Sequence, residues 1–289
     1  MKLINYLLIA LVFVSSCKEE NETVPTFAKD YGDGMYIVTE NGVSFYDGEV
    51  VKNQIYKEVN GATLSNPKKI KFKGKKAYII SDNQIVTANI ETFENKEIIG
   101  GFVNATDFDF VDFNRIFVVD KGDAKVKVVD LVSLDIISDI ETGFSTRPVF
   151  IISNSYKSYV LNGGGGSEKI KDSTVVVIDY RDGLVALANF SGNLFVEDNP
   201  NSAVFSNNGL LNVLCQGIYD SINSMNNTES SFSNINQYSN EVYSTNTLTG
   251  IYNAQNLISN WNNSVNYLTA EGGVYRFDPN SLNLDLIVS

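Results

Sequence analysis

The sequence predicts an all-β protein, a β-propeller built from four-stranded blades of which six are recognisable. Two observations carry this prediction. Short apolar strands recur roughly every 40 to 54 residues, and helical periodicity is nowhere sustained. The clearest unit is Arg115–Gly143, where β-branched segments alternate with turn-prone breaks. Because one such sheet cannot bury both of its faces alone, the repeat favours a propeller over a sandwich or a solenoid.

The repeat is defined by a recurring apolar strand and a partner strand that follows it. The recurring strand begins at Met35, Ala77, Ile116, Ser158, Leu211 and Val265. Its partner begins at Val43, Ile85, Val126, Val175, Glu241 and Val274. The first unit shows no convincing innermost strand, and no seventh unit follows the sixth. The ring is therefore expected either to close with six blades or to be an open, truncated one with exposed strand edges.

Further strands complete the units in order along the chain. The second unit reads KKIKFK, AYIISD, IVTANI and NKEIIG. The third adds DFDFVD before its apolar pair and LDIISDI after it. The fourth reads PVFIIS, SYVLNG, VVVIDY and LVALANF. The fifth has SAVFSN and LNVLCQ, then a long interruption before EVYSTN, and the last reads NLISN, VNYLTA, VYRFD and LDLIVS.

The N-terminal segment has the composition of a lipoprotein signal. Residues 1–16 combine one lysine, an apolar run and small residues, which is typical of a secretory signal and too short to span a membrane. Val14-Ser15-Ser16-Cys17 resembles the bacterial lipobox, which implies cleavage before Cys17 and its lipidation. An ordinary signal with an incidental cysteine is the alternative. Residues 17–34 are then a flexible tether, and residues 35–289 the propeller domain.

Composition narrows the classes of function. The chain has 22 basic and 34 acidic residues, which argues against a nucleic-acid partner and against adsorption to anionic membranes, so membrane attachment is expected only through lipid. It contains no histidine, which removes Ser-His-Asp catalysis and histidine-ligated metal sites. An enzyme is therefore not expected. With Cys17 acylated, Cys215 is the only thiol, and its apolar strand predicts a buried core residue.

Several carboxylates and glycines were candidates for a site, and each has a plainer interpretation. Asp107, Asp109 and Asp112 alternate with phenylalanines, which favours solvated or turn-capping side chains over a cation site. Gly163–Gly166 lacks the lysine of a phosphate loop and is expected to be flexible. Four aspartates that end strands are predicted to form turns: Asp47, Asp130, Asp179 and Asp278. No catalytic residue, metal site or cofactor is predicted.

The repeat is lengthened in two units, between the second and third strands. These insertions are Gly163–Thr174 and Gly217–Asn240, and both are expected on one face of the propeller, where long loops often bind ligands. The second insertion mixes aromatic rings with amides. Its predicted ligand-binding residues are Tyr219, Asn226, Asn227, Phe232, Asn236 and Tyr238. A disordered, solvated loop is the alternative.

Three segments carry a family resemblance: Asn41–Asp47, Asn208–Gly217 and Gly272–Asn283, together with strands that end in VVD and VID. They resemble the YncE-like propeller lipoproteins of Bacteroidota, including the family labelled DUF5074, over essentially the whole mature chain. Lys18-Glu19-Glu20 resembles the lipoprotein export signal of that phylum. The resemblance implies a lipid-anchored protein of the outer membrane, exposed at the cell surface. It also implies seven blades, and this sequence departs from the pattern by lacking the last.

Three functions follow, in order of preference. The first is a non-enzymatic surface lipoprotein that binds a small nutrient or cofactor for a TonB-dependent outer-membrane transporter; a corrinoid is suggested by the resemblance alone. The second is a scaffold for protein–protein interaction at the cell surface. The third is an enzyme that uses two carboxylates in the propeller channel.

Overall fold

The computed structural model describes residues 31–165, 170–180, 186–187, 194–260 and 262–289. The predicted signal peptide, Cys17 and most of the predicted tether lie outside these residues. Within them the chain forms 24 strands in six antiparallel sheets and one short α-helix. No helix in this part of the chain is long and apolar enough to cross a bilayer. The predicted all-β propeller with six recognisable blades is confirmed.

The sheets follow one another along the chain as six blades. Blade 1 has β1 (Met35–Thr39), β2 (Gly42–Tyr46) and β3 (Val51–Lys52), followed by α1 (Ile55–Asn60). Blade 2 has β4 (Pro67–Lys73), β5 (Lys76–Ser81), β6 (Gln84–Asn89) and β7 (Asn95–Ile99). Blade 3 has β8 (Ala105–Phe110), β9 (Arg115–Asp120), β10 (Lys125–Asp130) and β11 (Ile136–Glu141).

Blades 4 to 6 complete the array. Blade 4 has β12 (Pro148–Ser153), β13 (Lys157–Asn162), β14 (Thr174–Asp179), β15 (Ala186–Leu187) and β16 (Leu194–Phe195). Blade 5 has β17 (Pro200–Phe205), β18 (Leu210–Cys215), β19 (Ser231–Asn236) and β20 (Glu241–Thr247). Blade 6 has β21 (Gln255–Ser259), β22 (Asn266–Ala270), β23 (Gly273–Asp278) and β24 (Asn283–Val288).

The central strands of blades 2 to 5 are apolar on both sides because each of these blades packs between two others. In β14, Val175, Val176, Val177 and Ile178 are all buried, so the strand is a continuous apolar run rather than an alternating one. It pairs with β13 in register, Val160 opposite Val176. Three inner strands begin with proline, at Pro67, Pro148 and Pro200, and shift register directly afterwards, which is where a residue without an N–H is tolerated.

A hydrophobic core joins each blade to the next, and the described residues show five such cores. None of them joins blade 6 to blade 1. On β1, Tyr36 and Val38 pack against blade 2, while the alternate residues Met35 and Ile37 are exposed. On blade 6, Ile258 is exposed in the same way. Of the two expected arrangements, the described part of the chain has the open ring.

Blade 1 lacks its innermost strand, as the sequence predicted. Its sheet has three strands, and Tyr36 on β1 packs in one core with Ile79 on β5, the second strand of blade 2. The compact unit also starts earlier than residue 35. Tyr31 is buried, and its ring packs edge-on against Phe45 and Phe93. Tyr31 therefore belongs to the globular unit rather than to the tether to which it was assigned.

One strand assignment made from sequence was wrong, and a second is tested only in part. In blade 5 the third strand is β19, which lies inside the predicted insertion Gly217–Asn240 and pairs with β18 and β20. EVYSTN is thus the fourth strand, and the true insertion is 216–230. In blade 4 the predicted fourth strand LVALANF lies partly outside the described residues. The described residues of that segment form β15, which pairs with β14 as expected, and a second short strand, β16, also pairs with β14.

The propeller has two faces, which differ in their connections. The turn face carries the hairpins that join the first strand to the second and the third to the fourth. The link face carries the connections between second and third strands and the links from blade to blade. Aspartates at the ends of third strands cap turn-face hairpins, as predicted for Asp47, Asp130 and Asp278, each of which accepts backbone N–H groups two or three residues ahead. Residues 181–185 are outside the described part of the chain, so the turn predicted for Asp179 stays a prediction.

The inner strands are joined by side chains rather than by a continuous sheet. Asp107 is buried: its carboxylate lies 3.6 Å from Lys71 Nζ and accepts the N–H of Ile151 on the next inner strand at 3.2 Å. Asp109 likewise accepts the N–H of Ser153 at 2.7 Å. The expectation that Asp107 is solvated or caps a turn was wrong, because unpaired backbone donors of the neighbouring blade need an acceptor. Asp112 does cap a turn, accepting from the backbone of Arg115.

Candidate functional site

The turn face contains a cleft between blades 4 and 5, which we call the turn-face cleft. It encloses about 530 Å³. Its walls are the β12–β13 hairpin and the β19–β20 hairpin. Six residues line it: Asn154, Ser155, Tyr156, Lys157, Gln237 and Tyr238. Its size falls within the range of pockets that hold small ligands.

The floor of the cleft is held by one buried lysine. Lys157 Nζ donates to the backbone carbonyl of Gln237 at 2.8 Å and to Asn240 Oδ1 at 2.9 Å, which ties the two hairpins together. Asn154 adds a side-chain bond to Gln237 at 3.2 Å. Tyr159 and Tyr180 donate hydroxyl hydrogen bonds from beneath, to Gln237 and Asn154, and burial raises the pKa of each phenol to about 12. The phenols therefore stay neutral donors.

The rim of the cleft carries two exposed tyrosine rings. Tyr156 is 57% exposed and Tyr238 is 87% exposed. The β19–β20 turn that presents Tyr238 is fixed by Asn236, whose Oδ1 accepts the N–H of Tyr238 at 2.8 Å. Gly209 lies under the Tyr238 ring with φ +80°, and a Cβ there would sit 3.1 Å from the ring. Exposed rings held on short hairpins are suited to stack on a ligand with an apolar face.

A second hollow continues the cleft toward blade 3. It encloses about 550 Å³ and shares Asn154 and Ser155 with the turn-face cleft. Its outer wall is Phe113, which is 86% exposed. Lys73 Nζ donates to the Phe113 carbonyl at 2.8 Å and lies 5.5 Å from the centre of its ring. Phe113, Tyr156 and Tyr238 are thus exposed rings on the turn-face hairpins of three consecutive blades, and we call this set the aromatic arc.

The structure does not bring the six predicted ligand-binding residues together. Tyr219, Asn226 and Asn227 lie in the loop 216–230 on the link face, whereas Asn236 and Tyr238 lie on the turn face. Strand β19 separates these two groups by its six residues, or about 20 Å. Phe232 faces neither group, since its side chain is fully buried in the core between blades 5 and 6. Tyr238 is the one predicted residue that lines the turn-face cleft.

The loop 216–230 is organised by its own hydrogen bonds. Thr228 N donates to the Ile218 carbonyl at 2.9 Å, and Asp220 N donates to Asn227 Oδ1 at 2.7 Å. The Tyr219 hydroxyl donates to Glu271 on blade 6 at 3.0 Å. The amide of Asn227 and the hydroxyl of Tyr219 therefore hold the loop in place.

Both insertions do share one face, as predicted. Asn199 connects them: its N–H donates to the Asp172 carbonyl at 2.7 Å, and its side-chain amide donates to the Gly217 carbonyl at 2.8 Å. Gly166, the last residue of the predicted glycine loop, lies outside the described residues.

Sequence reasoning missed the β12–β13 hairpin, which supplies four of the six cleft residues. The available signal was an aromatic residue inside an otherwise polar, three-residue turn, Asn154-Ser155-Tyr156. Such a short turn does not lengthen the repeat, so a search for insertions passes over it. Asn154 also fixes its own turn by accepting the N–H groups of Tyr156 and Lys157.

The reactive groups of the described residues serve the fold. No cluster of three or more cysteine or carboxylate side chains that could hold a metal ion occurs among them. Cys215 is buried, as predicted, and burial raises the pKa of its thiol to about 12, so it is not a nucleophile at neutral pH. Burial also raises the pKa of Asp109, but Lys71 and the Ser153 N–H already bind that carboxylate.

Solved structures resemble this chain in fold. A β-propeller domain of Cps50 (Swd1) from Myceliophthora thermophila is 12% identical, with 76% of this chain and 70% of that chain covered and a TM-score of 0.56. A quinonprotein alcohol dehydrogenase-like protein from Bacteroides thetaiotaomicron is 15% identical, with 91% and 64% covered and a TM-score of 0.59. A functionally unknown protein from Desulfotomaculum acetoxidans is 12% identical, with 87% and 78% covered and a TM-score of 0.62.

At these identities the likeness concerns the propeller fold alone. No protein-family profile matches the sequence, and no curated protein matches it.

Proposed function

We propose that this protein is a non-enzymatic binding protein that holds a small nutrient or cofactor in the turn-face cleft. The observation that carries the proposal is the pair of exposed rings, Tyr156 and Tyr238, on the rim of a cleft of about 530 Å³. The rings supply stacking surface. The amides of Asn154 and Gln237 beside them supply hydrogen-bonding groups that fix the orientation of a ligand.

The ligand class follows from this mixture of groups. A molecule with a flat apolar face and a polar edge, such as a sugar ring or a macrocycle, matches rings flanked by amides. A ligand too large for the turn-face cleft has the second hollow beside it, so that Phe113 adds a third ring. The suggestion of a corrinoid rests on the family resemblance of the sequence.

Attachment and delivery belong to the same proposal. Acylation of Cys17 anchors the protein to the outer membrane, and the bound ligand is passed to a TonB-dependent transporter at the cell surface. The support for both steps is the sequence of residues 14–20 and the resemblance to YncE-like lipoproteins. Globomycin treatment of cells, which blocks lipoprotein processing, tests the anchor: we expect a larger precursor to accumulate, and a Cys17→Ala chain to be unaffected by the drug.

Ligand retention is tested by thermal shifts of the full chain with corrinoids, porphyrins and oligosaccharides. We expect one class to raise the melting temperature, because a ligand that binds only the native state stabilises it. Tyr156→Ala and Tyr238→Ala should each reduce that shift. Tyr243→Ala removes an exposed tyrosine from β20 that does not line the cleft, and this variant should keep the full shift. A shift that survives both cleft substitutions would move the site elsewhere.

A protein-binding scaffold is the second candidate, and one observation favours it. The tip of the loop 216–230 exposes Ile222 and Met225 almost completely on the link face. Chemical cross-linking on cells would test this role: Ile222→Asp should abolish a cross-linked partner, whereas Tyr238→Ala should leave it in place.

A further inference from the structure

A separate pocket lies on the link face, between blades 3 and 4, on the side of the propeller opposite the turn-face cleft. It encloses about 560 Å³. One wall is the β9–β10 turn with Lys121, and the other is the link into blade 4 with Ser145, Thr146 and Arg147. The blade 4 insertion borders it, since a Cβ on Gly165 would lie 3.4 Å from Arg147 Nη1.

The pocket gathers positive charge in an acidic protein. Lys121 and Arg147 line it, and Lys68 lies close enough to act on Lys121. Burial lowers the pKa of Lys121, and the charges of Arg147 and Lys68 lower it further. Lys68 donates to neutral acceptors, Asn104 Oδ1 at 2.7 Å and the Ala105 carbonyl at 2.8 Å. A bound anion would reduce the repulsion between these like charges and favour their charged forms.

Two carboxylates lie near the pocket, and both bind groups other than Lys121 and Arg147. Asp120 accepts the N–H groups of Val103 and Asn104, both at 2.7 Å. Asp123, on the pocket wall, pairs with Lys127 through Oδ2 at 2.6 Å, while its buried Oδ1 has no hydrogen-bond partner among the described residues. Among the described residues no carboxylate forms an ion pair with Lys121 or Arg147. Lys121 and Arg147 are therefore the cations of the pocket lining that have no carboxylate partner among the described residues.

We propose that this pocket binds the oxyanion group, a phosphate or a carboxylate, of a small ligand. Lys121 and Arg147 supply charge-assisted hydrogen bonds, and the exposed Ser145 hydroxyl is a further donor. The site is independent of the turn-face cleft, which lies at the other end of the strands. A test of anion binding in this pocket is therefore independent of whether the turn-face cleft binds a ligand.

Titration of the full chain with inorganic phosphate and with acetate, at constant ionic strength, tests the proposal by calorimetry. We expect saturable binding of at least one anion, and the stronger of the two identifies the group. Lys121→Gln and Arg147→Gln should each weaken it about tenfold, because each removes one charged hydrogen bond. Lys75→Gln makes the same charge change at an exposed remote site and should bind like the wild type. Equal binding by all four proteins, or no saturable binding, overturns the proposal.

A second measurement keeps the test valid if a substitution prevents folding. An amine reagent is used to label the lysines of the wild-type chain, with the exposed Lys75 as the reference. Phosphate or acetate should slow the labelling of Lys121 alone. Equal labelling with and without anion would overturn the proposal.

Discussion

The two faces of this propeller are built differently. Comparing them shows that the face with the longer loops is not the face whose aromatic side chains border a cleft. The link face carries both insertions, yet the loop 216–230 uses its amides and its tyrosine to hold itself together. The turn face has short hairpins, yet it presents the aromatic arc above a cleft. A short hairpin has few backbone groups to satisfy, so its tip residues stay available to a ligand.

The largest effect is expected in the core that separates the two faces. Phe232→Ala should lower the free energy of unfolding by about 3–5 kcal/mol, because it deletes a fully buried ring packed on Phe277. Urea denaturation measures this loss. If the Phe232→Ala variant instead kept its stability but lost ligand binding, Phe232 would belong to a binding site and not to the core between the faces.

A smaller loss is expected where the inner strands of blades 3 and 4 meet. Asp107→Ala leaves buried donors without an acceptor, among them the N–H of Ile151, and should cost about 2–3 kcal/mol. Glu141→Ala is the matched control: it breaks an exposed ion pair with Lys125 and should cost under about 1 kcal/mol. Similar losses in the two variants would show that the inner carboxylates do not join the blades.

Gly209→Ala tests whether the turn face owes its chemistry to hairpin geometry. A side chain at φ +80° is strained and would press on the Tyr238 ring, so we expect about 1 kcal/mol of destabilisation and a reduced ligand shift. Gly250 has φ +77° with open space around it. Gly250→Ala should therefore show the same strain with no change in ligand shift. Identical ligand shifts in both variants would count against a positioned Tyr238.

The smallest effect concerns the aspartates that cap turn-face hairpins. Backbone N–H groups of Ser133 and Val132 lower the pKa of Asp130. A lowered carboxyl pKa adds stability that is present above its unfolded value, near 3.9, and is lost as the pH falls through the folded value. Urea midpoints of wild type and Asp130→Ala should thus differ most at pH 6.5, and the difference should shrink as the pH falls below about 4. A difference that stays constant over that range would point to a cause other than ionisation.

The blades could be predicted from sequence because buried strands such as VVVID have no other stable arrangement. Strand β19 could not, because SFSNIN places polar residues between Phe232 and Ile235, and only pairing with β18 and β20 identifies it as a strand. That single error merged a loop, a strand and a hairpin into one predicted site.

Contacts between blades could not be predicted from the sequence either. The sequence shows that Asp107 alternates with phenylalanines, but not that the N–H of Ile151 lies opposite it. The turn-face cleft depends on a hydrogen bond from Lys157 to a residue 80 positions away, and the link-face pocket on turns from two blades. Spacing along one chain contains no information on such pairs.

The missing core between blades 6 and 1 gives the described fold the energetics of a linear array. In a closed ring every blade has two neighbours, whereas here the two end blades have one each, so nearest-neighbour coupling makes opening start from the ends. Amide hydrogen exchange should then form a gradient, fastest in blades 1 and 6 and slowest in blades 3 and 4. The turn-face cleft and the link-face pocket both include blade 3 or blade 4, so both proposed sites lie in the part of the array that is expected to open last.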